Sequence, residues 1–312
     1  MINPTQVAIV LIRAMLLAGA CCGGFDPAAA GSITASSEEA APPPSARRPA
    51  IEPHGRAYLF RGALGPIFSR GMDQLTERIE KVGIPADVYE FTICRLIADK
   101  AIREYRQDPE PIILIGHSMG GLCAVMLAEI LEAEHIPVSL IVTIDPAHAT
   151  EDAPLNVERF INIFLAKTVL GGGDVKTVPG YRGHYASFDL SQLSEVLHIT
   201  IDKMDTIHEQ LITKIVQLAT TPAKVDGEAV PLRYVVPPGA TIDLWDSGMA
   251  VFAHPGDTLQ TIAASHHVPL WSVTQMNKGA DNTPLVPGER IIVPRHLVPL
   301  AEVSRQTPPP GR

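Results

Sequence analysis

The run most suited to chemistry is Gly116-His117-Ser118-Met119-Gly120. A serine hydroxyl is a weak nucleophile until an imidazole takes its proton, and the imidazole needs a carboxylate to fix its tautomer and stabilise the cation. Ser118 follows the continuous apolar run Pro111–Ile115 (PIILI) and opens an apolar segment, Met119–Leu131. Strand, sharp turn and helix in that order would hold the hydroxyl above the edge of a sheet, with Gly116, Gly120 and Gly121 letting backbone meet helix. The plain alternative is a glycine-rich turn with a capping serine.

The partners must sit at later strand ends, acid before histidine. Asp145 closes the run Val138–Ile144 (VSLIVTI) and Pro146 breaks the chain behind it, so its carboxylate is expected on the same edge as Ser118. Asp174, after Gly171-Gly172-Gly173, is the alternative acid. His198 is the preferred base, because it falls between a strand ending at Leu190 and a helix starting near Asp205. His208 lies a turn inside that helix and reads as a partly exposed helix residue. His148 and His184 are less suitable still, and His117 is expected to pack in the turn. A tetrahedral oxyanion also needs N–H donors. The amide of Met119, next after Ser118, is one candidate, and the amide of Ala63, after the first strand, is the other.

The elements that would position these groups alternate in type. Ala57–Arg61, Ala86–Phe91, Pro111–Ile115, Val138–Ile144, Phe160–Leu165 and Ala186–Leu190 read as strands. Met72–Val82, Leu96–Tyr105, Met119–Leu131 and Asp205–Leu218 read as helices, the last with Asp205 as its cap. Such alternation predicts a doubly wound, mostly parallel α/β sheet.

With these blocks in place, residues 56–218 resemble the α/β-hydrolase family, through LFRGALGPIFSRGMDQL, PIILIGHSMGG, LIVTIDPAH and VLHITIDK. More narrowly they look like small bacterial lipase- or thioesterase-like hydrolases, and an acid after the strand that follows the elbow helix is similar to the thioesterase arrangement. The resemblance implies hydrolysis of an ester or thioester through an acyl-enzyme, with Asp145 and His198 on the family's pattern. Little sequence remains between Asp145 and Phe160 for a lid, which departs from interfacial lipases.

A different pattern runs from Met249 to about 295: a short strand, two short helices around Leu259–Ser265 and Leu270–Met276, and a strand within Val286–Pro294. The blocks GDTLQTIA, Asn277 and LVPGERIIVP resemble a LysM domain, a small βααβ module. That resemblance implies binding of N-acetylglucosamine-containing glycans such as peptidoglycan, with Gly256, Asp257, Thr258, Pro284 and Leu285 as contacts. The bland reading is that these residues only cap a helix.

Composition bounds the remainder. Lys and Arg total 25 against 34 Asp and Glu, a net charge of −9, and no basic cluster with interleaved aromatics appears, so nucleic acid is not an expected partner. No cofactor or metal is expected. The apolar run from Val7 to Ala20, with Ala18-Gly19-Ala20 before Cys21, reads as a signal peptide, and Cys21 as a candidate lipid-anchor cysteine, the sole membrane attachment anticipated. Cys94 and Cys123 read as buried thiols, with a bridge between them as the oxidising-compartment alternative. The expected organisation is a signal peptide over 1–20, an Ala/Pro/Ser linker over 21–54, a hydrolase domain over 55–220, a linker over 221–248, a LysM module over 249–295 and a tail over 296–312. Together these predict an exported hydrolase held at the cell envelope. The rival class is a non-catalytic wall-binding protein with a degenerate hydrolase domain.

Overall fold

In a computed structural model, residues 54–63, 65–220, 228–279 and 281–295 are described. The expected signal peptide, Cys21 and nearly all of the first linker, and the tail from 296, lie outside the described residues. The chain forms β1 (Arg56–Arg61), α1 (Gly65–Phe68), α2 (Arg70–Lys81), β2 (Ala86–Glu90), α3 (Cys94–Gln107), β3 (Ile112–His117), α4 (Met119–Ala133), β4 (Leu140–Ile144), β5 (Arg159–Phe164), β6 (His184–Asp189) and α5 (Asp205–Thr220). Then follow β7 (Leu232–Val235), β8 (Gly248–Phe252), α6 (Leu259–Ser265), α7 (Leu270–Thr274) and β9 (Arg290–Pro294).

Seven strands form one sheet in the order β2-β1-β3-β4-β5-β6-β7, and every neighbouring pair is parallel. The period-2 alternation of a strand divides its side chains between two faces. Ala57, Leu59, Ile113 and Ile115 point to a core that includes Met72, Leu75 and Ile79 of α2 and Ile207 and Leu211 of α5. Tyr58, Phe60, Ile112 and Leu114 point to a second core with Ile97 and Ala98 of α3 and Leu127 and Ala128 of α4. Helices cover both faces, which is why β3 reads as an uninterrupted apolar run and is buried along its whole length. The chain leaves β1 toward β2 and returns to β3 on the other side of β1. That reversal opens a crevice at the carboxyl ends of β1 and β3, the place where such sheets take ligands.

Two expectations are corrected. The segment 221–248 is not a linker over its described part: Leu232–Val235 is the seventh strand of the sheet, and Leu232, Tyr234, Val236, Leu244 and Trp245 are all buried. Its prolines suggested a tether, yet they flank the strand rather than interrupt it. The second correction concerns the cysteines, which are bridged: Cys94 and Cys123 form a disulfide with their Cα atoms 5.6 Å apart, joining the start of α3 to α4.

The C-terminal elements run strand, helix, helix, strand, with β8 and β9 antiparallel. They do not stand apart. Trp271 of α7 meets the rings of Tyr234 and Trp245 at 5.3 and 5.9 Å, and Gln275 accepts from the Val235 amide and donates to its carbonyl at 3.0 and 2.7 Å. At the other end, buried Asp246 lies 3.3 Å from the guanidinium of buried Arg159, and Ser247 Oγ is 2.7 Å from His184 Nδ1. The apolar core is continuous from the sheet into this segment.

Candidate active site

The turn between β3 and α4 gives Ser118 φ 56° and ψ −123°, a conformation that costs a non-glycine residue roughly 1–3 kcal/mol. Neighbouring glycines make it sterically feasible. A Cβ on Gly116 would stand 2.0 Å from the Gly120 carbonyl oxygen, one on Gly120 2.1 Å from that of Phe60, and one on Gly62 2.7 Å from Ser118 Cβ. The Ser118 amide donates to the Ile144 carbonyl at 3.0 Å, tying the turn to the end of β4. The Ser118 side chain, though at the N-cap of α4, caps nothing. Its hydroxyl makes no hydrogen bond among the described residues and remains open to a proton acceptor.

Asp145 directly follows β4 and is fully buried. Its Oδ1 accepts the amides of Gly172 and Leu165 at 2.8 and 3.0 Å, while Oδ2 lies 2.6 Å from Nδ1 of His198. Both carboxylate oxygens are therefore engaged. Gly171 is needed beside it, since a Cβ there would reach the Asp145 carboxyl carbon at 2.5 Å. With Nδ1 held by the carboxylate, Nε2 of His198 is the nitrogen left for a hydroxyl.

His117 packs against His198. It is buried, its ring lies 4.8 Å from that of His198, and its Nε2 donates to the His198 carbonyl at 2.9 Å. Burial, reinforced by the neighbouring His198, pushes its pKa down to about 4, so the ring is neutral at neutral pH. Met119 begins α4, so its amide has no acceptor within the helix. Just after β1 the Gly62 amide donates to Ser69 Oγ at 3.0 Å, and the next amide along, that of the exposed Ala63, makes no such bond among the described residues.

The competing candidates are elsewhere. Asp174 pairs with Arg233. His208 is fully buried rather than partly exposed; its Nε2 donates to the Asp202 carbonyl at 2.6 Å, and among the described residues no carboxylate hydrogen-bonds to its ring. His148 Nε2 lies 3.3 Å from the Thr168 carbonyl, and His184 serves the contact with Ser247. Sequence reasoning missed Ser69 and Asp202. Neither carries a local signal: Ser69 lies at the N-terminus of α2, where Asp202 Oδ2, far along the chain, accepts the Gly71 amide at 2.9 Å.

A cleft of about 370 Å³ opens beside Met119, lined by Phe91, Ile93, Leu96, Leu122 and Met126. Exposed apolar side chains stand on α1 after β1, at Ile67 and Phe68, and on either side of His198, at Leu197 and Ile199. A second cleft of about 370 Å³, past β5, has Phe164, Tyr234 and Val235 on its walls together with Asp174, Asp189 and Arg233. In the C-terminal segment, Thr258 caps α6 in a reciprocal box with Thr261, Gly256 has φ 89°, and the Leu285 amide donates to the Asp257 carbonyl at 2.8 Å. The loops bearing Gly256, Asp257, Thr258, Pro284 and Leu285 thus adjoin.

A sequence profile described as "Alpha/beta hydrolase family" matches residues 80–278. Two solved structures are similar over part of the chain. A hydrolase candidate of the α/β superfamily from Xanthomonas campestris pv. campestris is 16% identical, with 37% of this chain and 74% of that one covered and a TM-score of 0.27. The RedJ thioesterase of the prodiginine biosynthetic pathway in Streptomyces coelicolor is 22% identical, with 34% and 48% covered and a TM-score of 0.23; the match thus spans about half of that protein's length. No curated protein matches.

Proposed function

The chain belongs to the alpha/beta hydrolase family, and on that premise we propose that it is a serine hydrolase of carboxylic esters or thioesters, with Ser118 as nucleophile, His198 as general base and Asp145 orienting it. Nε2 of His198 would take the Ser118 proton as Oγ attacks the carbonyl carbon. The oxyanion would be received by the amides of Met119 and Ala63. Protonated His198 would return the proton to the departing alcohol or thiol, leaving an acyl-Ser118 ester that water, activated by the same imidazole, hydrolyses. The observation that carries this reading is the 2.6 Å contact between His198 Nδ1 and a buried Asp145 whose other oxygen is fixed by two amides.

The largely apolar cleft beside Met119 favours an apolar acyl group, because Met119, whose amide is one of the proposed oxyanion donors, stands on its wall next to Ser118 in the chain. A series of p-nitrophenyl esters from acetate upward, with acyl-CoA thioesters beside it, tests this. Burial of each methylene contributes about 0.8 kcal/mol, so kcat/KM should rise about fourfold per methylene until the cleft is full. A flat series would contradict an acyl site there.

Export and wall attachment belong to the same proposal. The Cys94–Cys123 disulfide favours an oxidising compartment, as does the apolar run before Cys21. The LysM-like segment would hold the enzyme on peptidoglycan through the adjoining loops at Gly256–Thr258 and Pro284–Leu285. Retention on purified peptidoglycan, lost in a variant of the exposed Pro284, Pro284→Arg, at unchanged thermal stability, is the expected result; equal retention of both proteins would remove that role.

A further inference from the structure

We infer that His117 and Ser69 are positioning residues that hold the proposed base loop and the proposed oxyanion loop in register with Ser118, an assignment that rests on the serine-hydrolase reading above. The direction of every bond in the chain follows from chemistry. The His198 carbonyl can only accept, so the Nε2 of His117 that meets it at 2.9 Å carries the hydrogen. A neutral ring with Nε2–H has a bare Nδ1, which accepts the Ser69 hydroxyl at 2.7 Å. Ser69 Oγ, its proton committed to His117, accepts the Gly62 amide at 3.0 Å. One unbranched path therefore runs from the Gly62 amide through Ser69 and His117 to the backbone of His198. Ser118 adjoins this path at Gly62, where an added Cβ would stand 2.7 Å from Ser118 Cβ.

Ser69 could have served its own helix instead. It occupies the N-cap of α2, but its side chain makes no capping bond there. The cap is supplied by Asp202, from the short 3-10 turn Ile201–Lys203 just past His198, whose Oδ2 accepts the Gly71 amide. His208 in turn donates to the Asp202 carbonyl. The His198 loop is thereby gripped at two points, by His117 and by the start of α2, while its ring is held by Asp145. Taking the Gly62 amide into this path leaves the following amide, that of Ala63, as the first donor on that loop able to serve an incoming oxygen.

A role in packing alone would cost stability and leave the chemistry of the folded molecules unchanged. Full-length His117→Leu, His117→Gln and Ser69→Ala separate the alternatives, assayed on a short p-nitrophenyl ester. Because loss of register by about an ångström can cost a hundredfold in rate, His117→Leu should lower kcat about ten- to hundredfold with KM changed less than twofold. His117→Gln, whose terminal amide can still donate to the His198 carbonyl, should recover most of that loss. Ser69→Ala should also lower kcat, and it serves in place of His117→Leu should that variant not fold. Nitrogen-15 NMR of the wild type should show His117 protonated at Nε2 alone, whatever the activity. Folded variants with wild-type kcat, a glutamine variant no better than leucine, or a His117 protonated at Nδ1 would each overturn the inference. Wild-type protein that neither hydrolyses esters nor takes a fluorophosphonate label would overturn the serine-hydrolase reading, and this inference with it.

Discussion

His117 Nε2 donates to the backbone carbonyl of His198 across 81 residues of sequence, at 2.9 Å. The residue just before Ser118 therefore fixes the main chain of the imidazole proposed to activate it, while Asp145, just after β4, fixes the ring. Orientation of that imidazole is set from two strands, β3 and β4, whose ends are joined by the bond from the Ser118 amide to Ile144. The arrangement yields the following expectations.

Asp145→Asn should lower kcat about 10³- to 10⁴-fold, since an amide that keeps accepting from Leu165 and Gly172 presents N–H to His198 Nδ1 and enforces the wrong tautomer. His198→Ala should be comparably inactive. His208→Ala should instead cost stability, because His208 is buried and holds Asp202, and leave kcat of the folded fraction within a few fold. Steady-state kinetics beside thermal melts would check this, and an inactive, well-folded His208→Ala would transfer the base.

Two buried groups should give stability opposite pH dependences. His117 has its pKa lowered to about 4, so its contribution is complete above pH 6.5 and is lost as the pH falls toward 4. Asp202 is raised to about 6 by burial, so its contribution is complete below pH 3.8 and is lost as the pH rises through 6. Between pH 6.5 and 4 the stability difference between wild type and His117→Gln should shrink, whereas that between wild type and Asp202→Asn should grow. Denaturant midpoints at pH 4, 5 and 6.5 measure both, and parallel curves would contradict them.

The disulfide spans 29 residues. Closing a loop of that size removes chain entropy worth about 3.5 kcal/mol from the unfolded state. Reduction, or the double change Cys94→Ser with Cys123→Ser, should lower stability by that order in guanidinium titrations. An unchanged midpoint under reducing conditions would contradict a bridge.

Docking of the C-terminal segment should make unfolding a single event. Trp271 is half-buried against Tyr234 and Trp245, so Trp271→Ala should destabilise the whole protein by about 2 kcal/mol. Calorimetry should show one transition moving down. Two transitions, with the larger one unmoved, would mean that the segment folds as an independent tethered module.

Much of this architecture is legible in the residues. PIILI announces a strand covered on both faces, and the glycines around Ser118 announce a tight turn, because apolar runs and missing side chains are local properties. The alternation of elements put Asp145 just after a strand and His198 in the loop before the last helix of the hydrolase domain, and they lie there. What was not legible depends on residues far apart. Ser69 is free to bond His117 because Asp202, 133 positions on, accepts the Gly71 amide at the start of α2. His208 looks exposed in a helix whose buried face only the fold defines. Leu232–Val235 was hidden among prolines, since four residues carry too little periodicity to outweigh them, and the pairing of Cys94 with Cys123 required a distance.

The central claim is that Ser118 attacks the substrate carbonyl. Labelling of the purified protein with a fluorophosphonate probe, read by intact mass and peptide mapping, tests it most directly. The account predicts one adduct, on Ser118, absent from Ser118→Ala and strongly slowed in His198→Ala. No adduct on the wild type, or equal labelling of Ser118→Ala, would contradict it.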